Sequence, residues 1–120
     1  RRQRQMCIRD RYDIGALAAP CIPPTFRMAV LCNGGGGIFR FIDATRSMPI
    51  LDRFLVADRP FPLRQLADAY GFAYLEASSE AELVAVLPGF FSPSDRPVIL
   101  AINTPGDVSA NILRDYLGLQ

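Results

Sequence analysis

The sequence predicts an α/β fold, a parallel sheet with helices on both faces, and three observations carry that expectation. Apolar, strand-like runs occur at Phe26–Cys32, Phe72–Ala77 and Val98–Ile102. Stretches of helical spacing separate and follow them, and each strand-to-strand distance is long enough for a crossover. The first run opens directly into Asn33 and four glycines, within Leu31-Cys32-Asn33-Gly34-Gly35-Gly36-Gly37-Ile38-Phe39-Arg40-Phe41. Flexible backbone behind a polar amide can press main chain against a ligand, at the carboxyl edge where open α/β sheets bind ligands. Asn33 is accordingly expected at the carboxyl end of a central parallel strand. A surface turn is the plainer use of such glycines.

Taken in order, Arg1–Arg11 is a basic head with no apolar core of signal-peptide type behind it. It resembles translated sequencing-adapter sequence, and residues 1–11 are set aside as a non-native or disordered head. Tyr12–Ala19 has Ile14, Leu17 and Ala18 on one helical face, closed by Pro20. Pro23 and Pro24 lead into the first strand, whose residues read as buried except Arg27. After the glycines, Asp43–Pro60 reads as a long loop over the site, with a short helix around Leu51–Leu55. Leu63, Leu66, Ala67 and Tyr70 then mark a helix that begins at Pro62 and stops at Gly71. Ser79 and Glu82 form a capping box for a helix from Ala81 to about Leu87, ended by Pro88. Val98–Ile102 is β-branched enough to be an inner strand. Asp107 can cap a last helix whose Val108, Ile112 and Tyr116 share a face. Three strands make a thin sheet, so residues 12–120 are expected to be the back part of a larger, N-terminally truncated domain.

Composition bounds the function. Half the residues are hydrophobic and 21% are charged, an ordinary globular mixture. No apolar run approaches the roughly 18 residues of a membrane span. The formal charge of +1 is uneven: five arginines crowd the head, whereas Tyr12–Gln120 carries eight arginines against eleven acids. A nucleic-acid role would rest on the head alone, and none is expected. Cys7, Cys21 and Cys32 are odd in number and unevenly spaced, and the chain has no His, which argues against a zinc cluster or a disulfide scaffold. A reducing cytoplasm fits best.

The glycines lack G-x-G-x-x-G spacing and no Gly-Lys-Ser/Thr follows, so neither the dinucleotide fingerprint nor the P-loop is present. With no lysine in the chain, a phosphate would be met by backbone N–H groups, arginine or a metal. The side-chain oxygen of Asn33 and a glycine carbonyl can fill two positions of an octahedral Mg²⁺. Arg46, Arg53 and Arg59 can bind anionic substrate, although solvation alone accounts for exposed arginines.

The run VLCNGGGGIFRFI at Val30–Ile42 resembles the second half of the thiamin-diphosphate motif of the menaquinone-pathway 2-succinyl-5-enolpyruvyl-6-hydroxy-3-cyclohexene-1-carboxylate synthases, commonly V-x-N-N-x-G-G-G-I-F. Tyr12-Asp13, PLRQLADAYGFAYLEA, SEAEL and VILAI follow the order of that family's C-terminal, diphosphate-binding domain. The resemblance implies a thiamin-diphosphate-binding fold and a Mg²⁺ (or Mn²⁺) ion held by the side chain of Asn33 and the carbonyl of Gly35. It implies that Gly34, Gly35, Gly36 and Ile38 border the cofactor and that Ile38, Phe39 and Ile42 line the substrate pocket. It also implies 2-oxoglutarate and isochorismate as substrates, a homodimer or homotetramer, and an activating Glu supplied by another domain. Two departures stand out. Cys32 replaces the family's first Asn, and the upstream Gly-Asp-x-Ser-x-x-Tyr-Asp segment is broken, with Met6, Cys7 and Arg9 in place of Gly, the metal-binding Asp and Ser. A truncated gene, and a catalytically inactive isolated chain, are therefore expected. Another thiamin enzyme of acetolactate-synthase or 2-oxoacid-decarboxylase type, or a non-catalytic α/β interaction domain, are the alternatives.

Overall fold

A computed structural model of the chain describes residues 13–56 and 62–118. The head at 1–11, with Cys7, and the loop residues Arg59 and Pro60 lie outside the described residues. After a 3₁₀ helix, Asp13–Ala18, the elements are β1 (Arg27–Cys32), α1 (Gly37–Phe41), α2 (Asp43–Arg46), a π-helical turn (Leu51–Val56), α3 (Leu63–Ala69), β2 (Ala73–Ala77), α4 (Glu80–Phe91), β3 (Val98–Asn103) and α5 (Gly106–Tyr116). The three strands form one parallel sheet in the order β1-β3-β2. Val98 pairs with Arg27 on one side and Ala73 on the other, and the register runs from there to Cys32–Asn103 and Ala77–Ile102.

Alternation along β3 builds two cores, which puts helices on both faces. Ile99 and Ala101 point to the side where Leu63 and Ala67 of α3, Phe72, Met28, Val30 and Leu17 collect. Val98 and Leu100 point to the other, under Leu83, Val86, Leu87 and Phe90 of α4. Val98–Ala101 are all buried, as a β-branched run paired on both edges should be.

The order of the strands corrects one expectation. In the described sheet β1 is an edge strand, and β3 is the central one. Asn33 does lie beyond the carboxyl end of a parallel strand, but of an outer one. The face of β1 that carries Ala29 and Leu31 is exposed, Leu31 to 66%, because α4 packs over β2 and β3. Arg27 anchors the start of the strand, donating to the carbonyls of Phe90 (2.6 Å) and Ser92 (2.7 Å) at the end of α4 and to that of Pro24 (2.6 Å).

Three further expectations change. Helix α4 runs through Pro88 to Phe91. Val84, whose carbonyl loses its helical donor to the proline ring, is 64% exposed, so water is at hand to replace that bond. Pro105, not Asp107, occupies the cap position of α5, and Asp107 falls in the first turn, where its charge suits the helix dipole. Val108, Ile112 and Tyr116 do share a face, but that face is exposed; Ala110 and Arg114 are the buried positions. The stretch read as a long loop also contains α2, while the short helix expected around Leu51–Leu55 is present as the π-helical turn.

The Ser79 cap forms, with Glu82 closing on the residue before it rather than on Ser79 itself. Ser79 Oγ accepts the Glu82 N–H at 3.2 Å, while the Glu82 carboxylate accepts the Ser78 N–H at 2.8 Å. Ser79→Ala should therefore cost about 1 kcal/mol in urea unfolding with an unchanged m-value. A cost near zero would mean that the cap contributes nothing to α4.

Candidate functional site

The site is built where β1 runs out. Asn33 Oδ1 accepts the Gly35 N–H at 3.2 Å, so the side chain folds over its own turn. Gly34 and Gly35 have φ of 81° and 127°, the left-handed region that side chains rarely adopt. Gly36 is buried for a different reason. A Cβ there would lie 2.8 Å from both the Leu55 carbonyl oxygen and Phe39 Cδ2, because the π-helical turn presses on the loop. The Gly36 N–H donates to Val56 O at 3.1 Å. A Cβ on Gly37, which opens α1, would stand 3.1 Å from Asn33 Nδ2.

This hydrogen-bond pattern limits what the loop can offer. The N–H groups of Gly35, Gly36 and Gly37 are taken by Asn33 Oδ1, Val56 O and Gly35 O respectively, so in this conformation none of the three is aimed at an anion. Asn33 Oδ1 and Gly35 O each accept one bond within the loop and retain a second lone pair, which leaves them as neutral oxygen donors for a hard cation. No group of three or more His, Cys, Asp or Glu that can hold a metal occurs among the described residues. The fit to a magnesium-type ion is thus partial: right in donor chemistry, short of a carboxylate.

The apolar residues after the glycines divide. Ile38 and Ile42, one helical turn apart and joined by the Ile42 N–H to Ile38 O bond, are 40% and 42% exposed. Phe39 instead turns its ring back against Gly36. The geometry brings Ile38 and Ile42 together at the surface and sets Phe39 against the loop.

Of the candidate arginines, Arg46 lines an open cleft of about 130 Å³ together with Arg40, Leu51, Asp107, Ala110 and Asn111. Arg40 pairs with Asp52 at 2.8 Å and Arg46 with Asp43 at 3.7 Å, so the charge there is largely met from within. Arg53 lies over the Phe54 ring. Arg59 is outside the described residues.

The ends of β2 and β3 carry a polar cluster beside this loop. Asn103 Nδ2 donates to Glu76 Oε1 (2.8 Å) and Ser78 Oγ (3.0 Å), and Arg64 Nη2 pairs with Glu76 Oε2 at 2.9 Å. Hydrogen bonds from Asn103 and then Arg64 hold the Glu76 carboxyl below its ordinary range. Burial first, and the Glu76 charge second, push the Cys32 thiol up, which makes it a poor nucleophile at neutral pH. Two residues of α5 that touch the loop and α1 carry no local signal in the sequence: Gly106, against Asn33 O, and Arg114, against Phe41 O. Each contact joins segments far apart in the chain, and only the fold shows it.

What the fold and loop define is a parallel α/β unit with an Asn-glycine turn at its carboxyl edge. No family model matches the chain. Curated proteins do. The chain is similar in sequence to one segment of the 2-succinyl-5-enolpyruvyl-6-hydroxy-3-cyclohexene-1-carboxylate synthases. It is 42% identical over 105 residues to that of Porphyromonas gingivalis, 33% to that of Christiangramia forsetii and 30% to that of Flavobacterium johnsoniae. These matches take in 88% of the chain but only 18% to 19% of each relative, so the chain spans about a fifth of their length. The resemblance carried by Val30–Ile42 thus extends over most of the chain. Among the described residues, no helix is long and apolar enough to cross a membrane.

Because the Glu76 carboxyl is lowered in the fold, its pairing stabilises fully above the ordinary value of 4.5 and is lost as pH falls through the folded value. Glu76→Gln should flatten the acid limb of a pH series of urea midpoints below that value. An unchanged acid limb would show that the cluster contributes no pH-dependent stability.

Proposed function

We propose that this chain is the part of a 2-succinyl-5-enolpyruvyl-6-hydroxy-3-cyclohexene-1-carboxylate synthase that receives the metal and diphosphate of thiamin diphosphate. One observation carries the proposal. In a chain similar to those synthases over 88% of its length, the residues at the carboxyl edge of β1 form a glycine turn presenting two neutral oxygens, on Asn33 and Gly35. Asn33 Oδ1 and Gly35 O would hold Mg²⁺ or Mn²⁺, with Gly34 and Gly36 as the backbone on either side. Because the N–H groups of Gly35, Gly36 and Gly37 are engaged, the diphosphate would be met through the ion rather than through these three amides. Ile38 and Ile42 would give the reacting end of the cofactor an apolar border that excludes water, and Phe39 would support the loop from beneath.

When bound, thiamin diphosphate supplies the carbanion chemistry by which 2-oxoglutarate is decarboxylated and its four-carbon unit added to isochorismate. The activating Glu would come from another domain, in a cytoplasmic homodimer or homotetramer. The isolated chain is accordingly inactive: two neutral oxygens hold Mg²⁺ weakly, since the ion gives up water reluctantly.

Calorimetric titration of thiamin diphosphate with Mg²⁺ into the chain tests this. Weak binding that needs the metal and disappears in Asn33→Ala is expected, with no 2-oxoglutarate decarboxylation above the free-cofactor background. Binding that ignores the metal or Asn33 would refute the assignment of the site. Micromolar affinity or measurable turnover would refute the inactivity.

A further inference from the structure

We infer that Gly106 and Arg114, both on α5, are positioning residues for the Asn33 loop, so that the last helix sets the geometry at which the loop meets its ligand. The nature of that ligand rests on the function proposed above; the mechanical coupling does not.

Gly106 has no conformational need to be glycine, since its φ lies outside the left-handed region. Its need is space. A Cβ there would stand 2.6 Å from the backbone oxygen of Asn33 and 3.6 Å from Arg40 Nε. The obstacle at 2.6 Å is main chain, which cannot swing aside as a long side chain can. Nor can the Gly106 side retreat easily. The Thr104 N–H donates to Cys32 O at 3.0 Å, continuing the β1–β3 ladder past Asn103, and Asn103 is itself tied to Glu76 and Ser78. A methyl group at 106 must therefore displace the Asn33–Gly34 peptide. That peptide leads directly into the two left-handed glycines and carries the Asn33 side chain whose Oδ1 receives the Gly35 N–H.

Eight residues on, or roughly 12 Å along the helix axis, α5 grips the same unit again. Arg114, 4% exposed, donates to Phe41 O at 2.8 Å and pairs with Asp43 at 2.8 Å, at the joint between α1 and α2. A buried charge-assisted bond of this kind is costly to break. The loop with α1 is thus held at its first residue by Gly106 and just beyond its last helical turn by Arg114.

The test needs no cofactor. Amide hydrogen exchange is measured by NMR in the chain and in Gly106→Ala, Arg114→Lys and Gly89→Ala, the last being a helical glycine with nothing within 4 Å of its added Cβ. Gly106→Ala should speed exchange of the Gly35, Gly36 and Gly37 amides by about tenfold or more, while the amides of β3 and α4 and those of Gly89→Ala keep their rates. Arg114→Lys should do the same to the Ile42 amide and more weakly to the glycines, which keeps the test decisive if Gly106→Ala fails to fold. Unchanged loop amides in both, or a uniform acceleration across the chain, would overturn the inference. Broadening of the Asn33 and Gly35 resonances by Mn²⁺ is read in the same samples. Its absence would count against the proposed metal site and leave the positioning role standing.

Discussion

Everything described depends on β3 having a neighbour on both edges. Its N–H and C=O groups are spent on β1 and β2, and its side chains alternate into two cores, with Ile99 at 0% and Leu100 at 1% exposure. Burying a side chain of that size fully stabilises by about 1.5–3 kcal/mol, so this one strand anchors each layer of helices. It also fixes the carboxyl edge. Cys32 is level with Asn103, and the turns that follow both strands therefore meet, which is why a loop after β1 and a helix after β3 come to share a boundary.

At that boundary the four glycines answer separate demands. Two take a backbone conformation closed to most residues, one yields to the π-helical turn, and one clears the Asn33 amide. The cost of ordering four glycines is offset in part by hydrogen bonds that use up the N–H groups of Gly35, Gly36 and Gly37. Such a loop leaves oxygens on Asn33 and Gly35 with a free lone pair, while three of its four glycine amides are spent within the protein.

Local signals in the sequence were sound where the physics is local. The apolar β-branched run Val98–Ile102, the Ser79–Glu82 pair and the Asn33-glycine turn are all legible because each depends on near neighbours in the chain. Strand order was not legible, since an apolar run reports that a strand is covered without saying by what, and Phe26–Cys32 reads alike at an edge and in the middle. Pro88 reads as a stop because a proline normally costs a helix one bond; its place near the exposed end of α4 reduces that cost. The shared face of Val108, Ile112 and Tyr116 is legible from spacing, but which side of α5 is buried is not: Arg114, bonded to Phe41, and Ala110 lie inward instead. In the site, Asn33 and the glycines were visible from the sequence, whereas Gly106 and the split between Phe39 and its isoleucine neighbours were not, because each depends on a contact made only in the fold.

The outer edge of β1 has a consequence for the order in which the structure comes apart. Among the described residues β1 has a single ladder and one exposed face, so it opens before β3, which is paired on both edges, and its carboxyl end lacks the side-chain anchor that Arg27 gives its start. That end is where Asn33 begins. The oxygens of the candidate site are therefore carried at an open edge of the described sheet, and any added strand that paired with β1 would harden the site without touching it.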